Sequence, residues 1–206
     1  MNKNNKGFSI IEILIGIFIF SLGIVGVYAI ISSTLRVNDL NENYIIATNL
    51  ANEQIELVRN IRDSNYTKIK KYNQINPASN EYNNVFEYDK KYKIENNYLS
   101  TATFPIQVTD ITNGFEEGQG NLSSSSMQSY NLCLDDLNRY TYDCTKTSNI
   151  KTKFYKYVSF DKVVYNEGGT TKIIEDAYLV KSKVIWYING YHEFEVKAVI
   201  ADWKRL

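Results

Sequence analysis

The sequence predicts an α+β chain, with a long N-terminal helix that spans a membrane in its first half and packs by its second half on a C-terminal antiparallel β-sheet. Three observations carry this expectation. From Ile13 to Leu35 there is no charged residue. From Asn41 to Asp63 there is neither Pro nor Gly, and apolar residues recur at helical spacing. From Phe154 onward, β-branched and aromatic residues alternate with polar ones around glycine-bearing turns.

The uncharged run would extend roughly 35 Å as a helix, about the thickness of a bilayer core. Ahead of it stands a polar leader, MNKNNKG, whose Lys3 and Lys6 hold that end in the cytoplasm and direct the C-terminal bulk outward. Ser32, Ser33 and Thr34 offer only a poor cleavage site for the alternative, a removable secretory signal. Glu12 lies at the start of the apolar segment. An ionisable group inside a bilayer costs about 3 kcal/mol, so Glu12 either sits at headgroup level or serves a function that supplies a partner.

The segment KGFSIIEILIGIFIFSLGIV, from Lys6 to Val25, resembles the N-terminus of type IV prepilins and the related pseudopilins. That resemblance implies cleavage by prepilin peptidase between Gly7 and Phe8, N-methylation of Phe8, and assembly through Glu12. A small residue at the cleaved bond leaves room for a protease at the membrane surface. The freed amine of Phe8 would stand four residues from Glu12, a spacing that shares one helix face. In the family a neighbouring subunit's N-terminus supplies the cation for this carboxylate, which sets the stagger between subunits. Many family helices carry a Pro within the apolar half; here Gly16, Gly23 and Gly26 occur instead, and Pro77 and Pro105 lie outside it.

In the second half of the helix, Ala47, Leu50, Ala51, Gln54, Val58 and Ile61 form a stripe suited to a sheet, while Glu53, Glu56, Arg59 and Arg62 fall on the solvated side. The stretch ANEQIELVRNIRDSNY, from Ala51 to Tyr66, resembles the helix end of minor pilins. The expected organisation is a leader at 1–7, a transmembrane and filament-core half-helix at 8–35, an amphipathic half at 36–64, and a β-rich domain with a loop-rich middle at 65–206.

In that middle, Asn73 to Asn84 reads as loop, and strands are expected within Phe86 to Ile94 and Ala102 to Thr109. The Gly- and Ser-rich stretch from Thr112 to Asn131 reads as an exposed, mobile loop. Its GlyGlnGly lacks the flanking strand and helix of a phosphate fingerprint. Cys133 and Cys144 stand in the exported part, where a disulfide forms, whereas a reducing compartment would leave two thiols. Pilins commonly carry a disulfide near the C-terminus; this pair sits mid-domain. Asp135, Asp136 and Asp143 lack the EF-hand spacing and read as surface.

The last third reads as a meander: Phe154 to Tyr165, a turn at GluGlyGly, TTKII, then YLVKSKVIWYI and YHEFEVKAVIADW about Asn189 and Gly190. A two-residue turn would spoil the apolar face. A three-residue loop, Ile188 to Gly190, pairs Val184 with Phe194, Val180 with Ala198, and Lys183 with Glu195. A Val-x-Trp strand, a Gly turn and a strand ending in Trp203 again resemble minor pilins.

Composition bounds the function. The chain has 206 residues, with 23 Lys and Arg against 23 Asp and Glu. That balance argues against a dedicated nucleic-acid binder, although Lys and Tyr stand together at 70–72 and 90–93, where DNA could stack. One His and two Cys leave few ligands for a metal, so no metal or cofactor is expected. His192 stands beside a turn without a nucleophile motif, and no catalysis is expected.

The resemblance therefore implies a structural subunit, a minor pilin of a type IV pilus. Its expected partners are other pilin subunits, prepilin peptidase and the inner-membrane assembly machinery. It would be held in the cytoplasmic membrane with its C-terminal domain outside, then displayed on the cell surface. The alternatives are a pseudopilin of a type II-like secretion system, or a membrane-tethered receptor or DNA-binding minor pilin.

Overall fold

The computed structural model describes residues 9–76, 84–96, 104–117 and 125–203. Contacts divide the chain into two units, Met1–Asn43 and Tyr44–Leu206. Helix α1, Ile10–Thr67, supplies all the described structure of the first unit and the N-terminal element of the second. Thereafter come β1 (Lys91–Asn96), β2 (Ile106–Asp110), α2 (Ser125–Gln128), β3 (Asn131–Leu134), β4 (Tyr140–Thr141), β5 (Ile150–Glu167), β6 (Thr170–Tyr187) and β7 (Tyr191–Ala201). An apolar N-terminal helix joined to a C-terminal antiparallel sheet is the α+β arrangement that the sequence predicts.

In the first unit the large apolar side chains from Ile10 to Val37 are each at least 50% exposed. The hydroxyls of Ser21 and Thr34 are returned to the carbonyls one turn back, at 2.7 and 2.9 Å, which hides polarity from an apolar surrounding. This stretch is long and apolar enough to cross a membrane.

In the second unit the expected helix stripe is buried: Ala47, Leu50, Ala51, Gln54, Val58 and Ile61 are all core. Ile55, Val58 and Ile61 pack with Val158, Phe160 and Val180 of the sheet, and Ala47, Leu50 and Ala51 with Phe154, Val184 and Trp186. Each large side chain so buried contributes about 2 kcal/mol. The helix ends where Ile69 takes φ 55°, and the buried Asn65 donates to the carbonyls of Tyr72 and Gln74 at 3.1 and 2.7 Å.

All strand pairs are antiparallel, and β5 is central. One of its edges carries β6 and then β7. The other is shared, with β3 on Ile150 to Tyr155 and β1 on Val158 and Ser159, so the sheet forks there. The β6–β7 hairpin turns through Ile188, Asn189 and Gly190, pairing Val184 with Phe194, Val180 with Ala198 and Lys183 with Glu195 as expected. Asn189 at φ 53° and Gly190 at φ 144° supply the left-handed turn.

Three expectations are corrected. TTKII and YLVKSKVIWY belong to one strand, β6, whose pairing with β5 shifts between Lys162 and Val163, leaving Glu175 to Ala177 as a bulge. The chain from Thr112 to Asn131 is not simply exposed loop. Among its described residues, Phe115, Met127 and Tyr130 pack on Tyr155, Tyr157 and Ile185 and cover the sheet face opposite α1, the last two loop residues being fully buried. Nor does the final strand reach Trp203: β7 ends at Ala201, and Trp203 is exposed with its ring edge against Tyr66.

Beyond Lys162 and Ala177 the β5–β6 hairpin runs on without a third strand among the described residues, turning at Gly168 and Gly169, both at positive φ. Val164, Tyr165, Ile173 and Ile174 are exposed along it.

Candidate functional site

Gly7 and Phe8, the expected cleavage pair, lie outside the described residues. The described helix begins immediately after them. The carbonyl of Ser9 accepts from the backbone N–H groups of Glu12 and Ile13 at 3.0 and 3.3 Å, which places Glu12 in the first helical turn. A carboxylate there complements the positive end of the helix dipole. Its side chain is exposed, and no other residue between Ile10 and Leu35 carries a charge. A carboxylate at this place is costly inside a bilayer, by about 3 kcal/mol, unless it stays at headgroup level or gains a partner.

In the folded domain Cys133 and Cys144 are joined by a disulfide, with Cα atoms 5.5 Å apart. Cys133 is fully buried in β3, between β4 and β5. The ten-residue segment between the cysteines includes a tight turn. Asp135 accepts from the N–H groups of Leu137 and Arg139, both at 2.9 Å, and forms an ion pair with the Arg139 guanidinium at 2.7 Å.

Sequence reasoning missed a polar network between α1 and the sheet. Lys156 is buried, its side chain 2% exposed, and its Nζ lies 2.9 Å from Glu53 Oε2. It also stands 5.6 Å from the centre of the Tyr142 ring. Ser182 donates to Gln54 Oε1 at 2.8 Å, Gln54 Nε2 donates to the Tyr142 hydroxyl at 3.0 Å, and that hydroxyl donates to the Lys156 carbonyl at 3.0 Å. Burial, with Glu95 and Glu53 nearby, pushes the Tyr142 hydroxyl far above its ordinary pKa, so it stays neutral. Glu53 is thus not the freely solvated charge that helix periodicity suggests. A signal existed: Lys156 shares the period-two register of Phe154, Val158 and Phe160, all of which face the helix.

A second network pins the chain within the expected loop. Glu117 accepts from the Tyr157 hydroxyl at 2.8 Å and from Lys183 Nζ at 2.5 Å, and Lys183 also reaches Glu193 at 3.3 Å. His192 is half-buried, stacked on Trp186 at 5.5 Å with its Nε2 3.0 Å from the Ile188 carbonyl. Among the described residues no cluster of His, Cys, Asp and Glu could hold a metal.

No curated protein and no solved structure matches the chain. The family of the prokaryotic N-terminal methylation motif matches residues 2–28, the leader and the beginning of the apolar helix. The motif implies processing by prepilin peptidase and assembly with pilin-type proteins. Motif and helix together support a type IV pilin-like protein, and the length and apolarity of the helix are consistent with membrane anchoring before assembly.

Proposed function

We propose that this chain is a minor pilin: a structural subunit of a type IV pilus, cut between Gly7 and Phe8, N-methylated at Phe8, and assembled through Glu12. Residues 8–35 would serve first as the membrane anchor and then as part of the filament core, with the β-rich domain outside. The single observation carrying this reading is the methylation motif set directly on an apolar helix whose large side chains are uncovered to Val37. Such a surface requires lipid or neighbouring helices. The amphipathic continuation, by contrast, already has its partner in the sheet.

The minor assignment rests on shape. A shaft subunit repeats at every position along a filament, which favours a domain without irregular projections. Here the β5–β6 hairpin continues past its neighbouring strands with exposed Val164, Tyr165, Ile173 and Ile174, and the described residues between α1 and β5 are largely short strands and loops.

The test is mass spectrometry of the native protein and of sheared surface filaments. A mature chain beginning at methylated Phe8, present in filaments at a small fraction of the dominant pilin, is the expected result. A start at Met1 overturns the processing, dominance in the filament overturns the minor role, and exclusive association with a secretion complex moves the chain to the pseudopilins.

A further inference from the structure

The fork in the sheet creates a cleft that the assembly reading does not use. Glu95 bridges its two arms by accepting from the Tyr142 N–H at 3.2 Å and the Thr141 hydroxyl at 3.3 Å. The cleft has a volume of about 440 Å³, within the range of small-molecule sites. Its first wall is Glu95, Asn96 and Gln107 from β1 and β2. The facing wall comes from the disulfide-closed segment and the chain after it, led by Asp135, Arg139 and Tyr140.

Every residue lining the cleft carries a polar side-chain group, which rules out an apolar ligand. Its cations are already matched: Arg139 holds Asp135 at 2.7 Å and Lys146 lies 3.6 Å from Asp143. A phosphate or carboxylate would therefore have to break an ion pair to find a counter-charge. What remains is a dense set of neutral and acidic acceptors and amide donors. Among them, Asn96 Oδ1 is buried without a hydrogen-bond partner among the described residues. A buried acceptor of this kind costs free energy unless a donor reaches it. The disulfide and the Asp135 turn hold one wall in place, and strand pairing of Glu95 with Gln107 holds the other, so little ordering is required on binding.

We propose that this cleft binds a neutral carbohydrate. Sugar hydroxyls both donate and accept. They would donate to the Glu95 carboxylate and, once the Asn96 amide turns toward the cleft, to its Oδ1, and would accept from the Gln107 and Asn149 amides, while planar amide and carboxylate groups suit adjacent hydroxyl pairs. Tyr140 offers a ring among the polar groups for the C–H face of a sugar. The inference stands independently of the pilus reading, since it rests only on residues of the folded domain.

The test uses the full chain in a detergent without a sugar headgroup, applied to an array of neutral and anionic glycans and then titrated with those retained. Wild type is expected to retain at least one neutral glycan. Asn96→Ala and Gln107→Trp, the latter occluding the cleft from an exposed strand position, are each expected to weaken binding about tenfold or more. Circular dichroism and thiol titration establish that each variant is folded; if Asn96→Ala is not, Gln107→Trp decides alone. Retention of no glycan, retention of anionic glycans only, or affinity unchanged in Gln107→Trp overturns the proposal.

Discussion

Lys156 Nζ lies 2.9 Å from Glu53 Oε2, with the lysine side chain 2% exposed and the glutamate 38% exposed. The two partners are therefore unequal. Glu53 can hydrate on its own, whereas Lys156 cannot. Removing the carboxylate leaves a buried, uncompensated ammonium, and Glu53→Ala is expected to cost about 2 kcal/mol or more. Lys156→Met removes the charge and keeps the length, so it is expected to be close to neutral. Urea unfolding of both variants measures the asymmetry, and equal losses would mean that the pair acts through packing instead.

The docking of residues 112–117 on the sheet depends on pH. Burial would raise the Glu117 carboxyl, but hydrogen bonds from Lys183 and Tyr157 outweigh burial and hold it below the ordinary carboxylate range. A depressed carboxyl contributes stability above its unfolded pKa, near 4, and that contribution is lost as pH falls through the folded value. Lys183 opposes its own burial through hydrogen bonds to Glu117 and Glu193, which raise it, so its share is lost only in strong alkali. Amide exchange in residues 112–117 should rise on acidification below about pH 4. Glu117→Gln should exchange faster at neutral pH and lose most of the acid response. An unchanged acid response in that variant would assign it to other carboxylates.

The Cys133–Cys144 disulfide, 11 residues apart in sequence, links β3 to the chain just past β4. By the chain-entropy model a loop of this size stabilises by about 3 kcal/mol. Cys133→Ala with Cys144→Ala, or reduction of the wild type, should lower the unfolding midpoint correspondingly while leaving the pairing of β6 with β7 intact. Two reactive thiols in the folded, air-exposed wild type would contradict the bond.

Legibility followed periodicity. The stripe Ala47 to Ile61 was readable because six positions repeat at helical spacing, and the β6–β7 register because a one-residue slip would place Glu195 and Glu193 opposite Val184 and Trp186. The burial of Phe115, Met127 and Tyr130 was not readable. Three apolar residues within a Gly- and Ser-rich stretch have no local period, and only the tyrosine-rich outer face of β5 gives them a place. The bulge at Glu175 to Ala177 was hidden for a similar reason: strand continuity across extra residues depends on the partner strand. Lys156 was the opposite case, its inward position legible from alternation but its partner on a distant helix. At the N-terminus the specific signal was local, a short basic leader, Gly7 and Phe8, and Glu12 ahead of an apolar run, so it was readable without any tertiary contact.

Glu12 should be required for assembly and not for insertion. It is the sole charge between Ile10 and Leu35, and it stands in the first turn of an uncovered apolar helix. In a bilayer such a carboxylate costs about 3 kcal/mol, so Glu12→Ala should leave the amount of protein in membranes unchanged or increased. In a filament the same group, paired with the freed amine at residue 8 of a neighbour, would fix the stagger between helices. Loss of that pair leaves the neighbour's amine uncompensated in an apolar core, a penalty large enough to lower incorporation about tenfold or more. The loss of favourable dipole interaction adds only about 0.5 kcal/mol and acts on the helix alone, so it would not separate membrane level from filament level. The decisive quantity is the ratio of this chain in sheared filaments to that in membranes, compared between wild type and Glu12→Ala, with cleavage at Gly7 verified by intact mass in both. A falling ratio with normal cleavage assigns the carboxylate to assembly; accumulation of uncleaved protein assigns it to processing, and an unchanged ratio removes it from both.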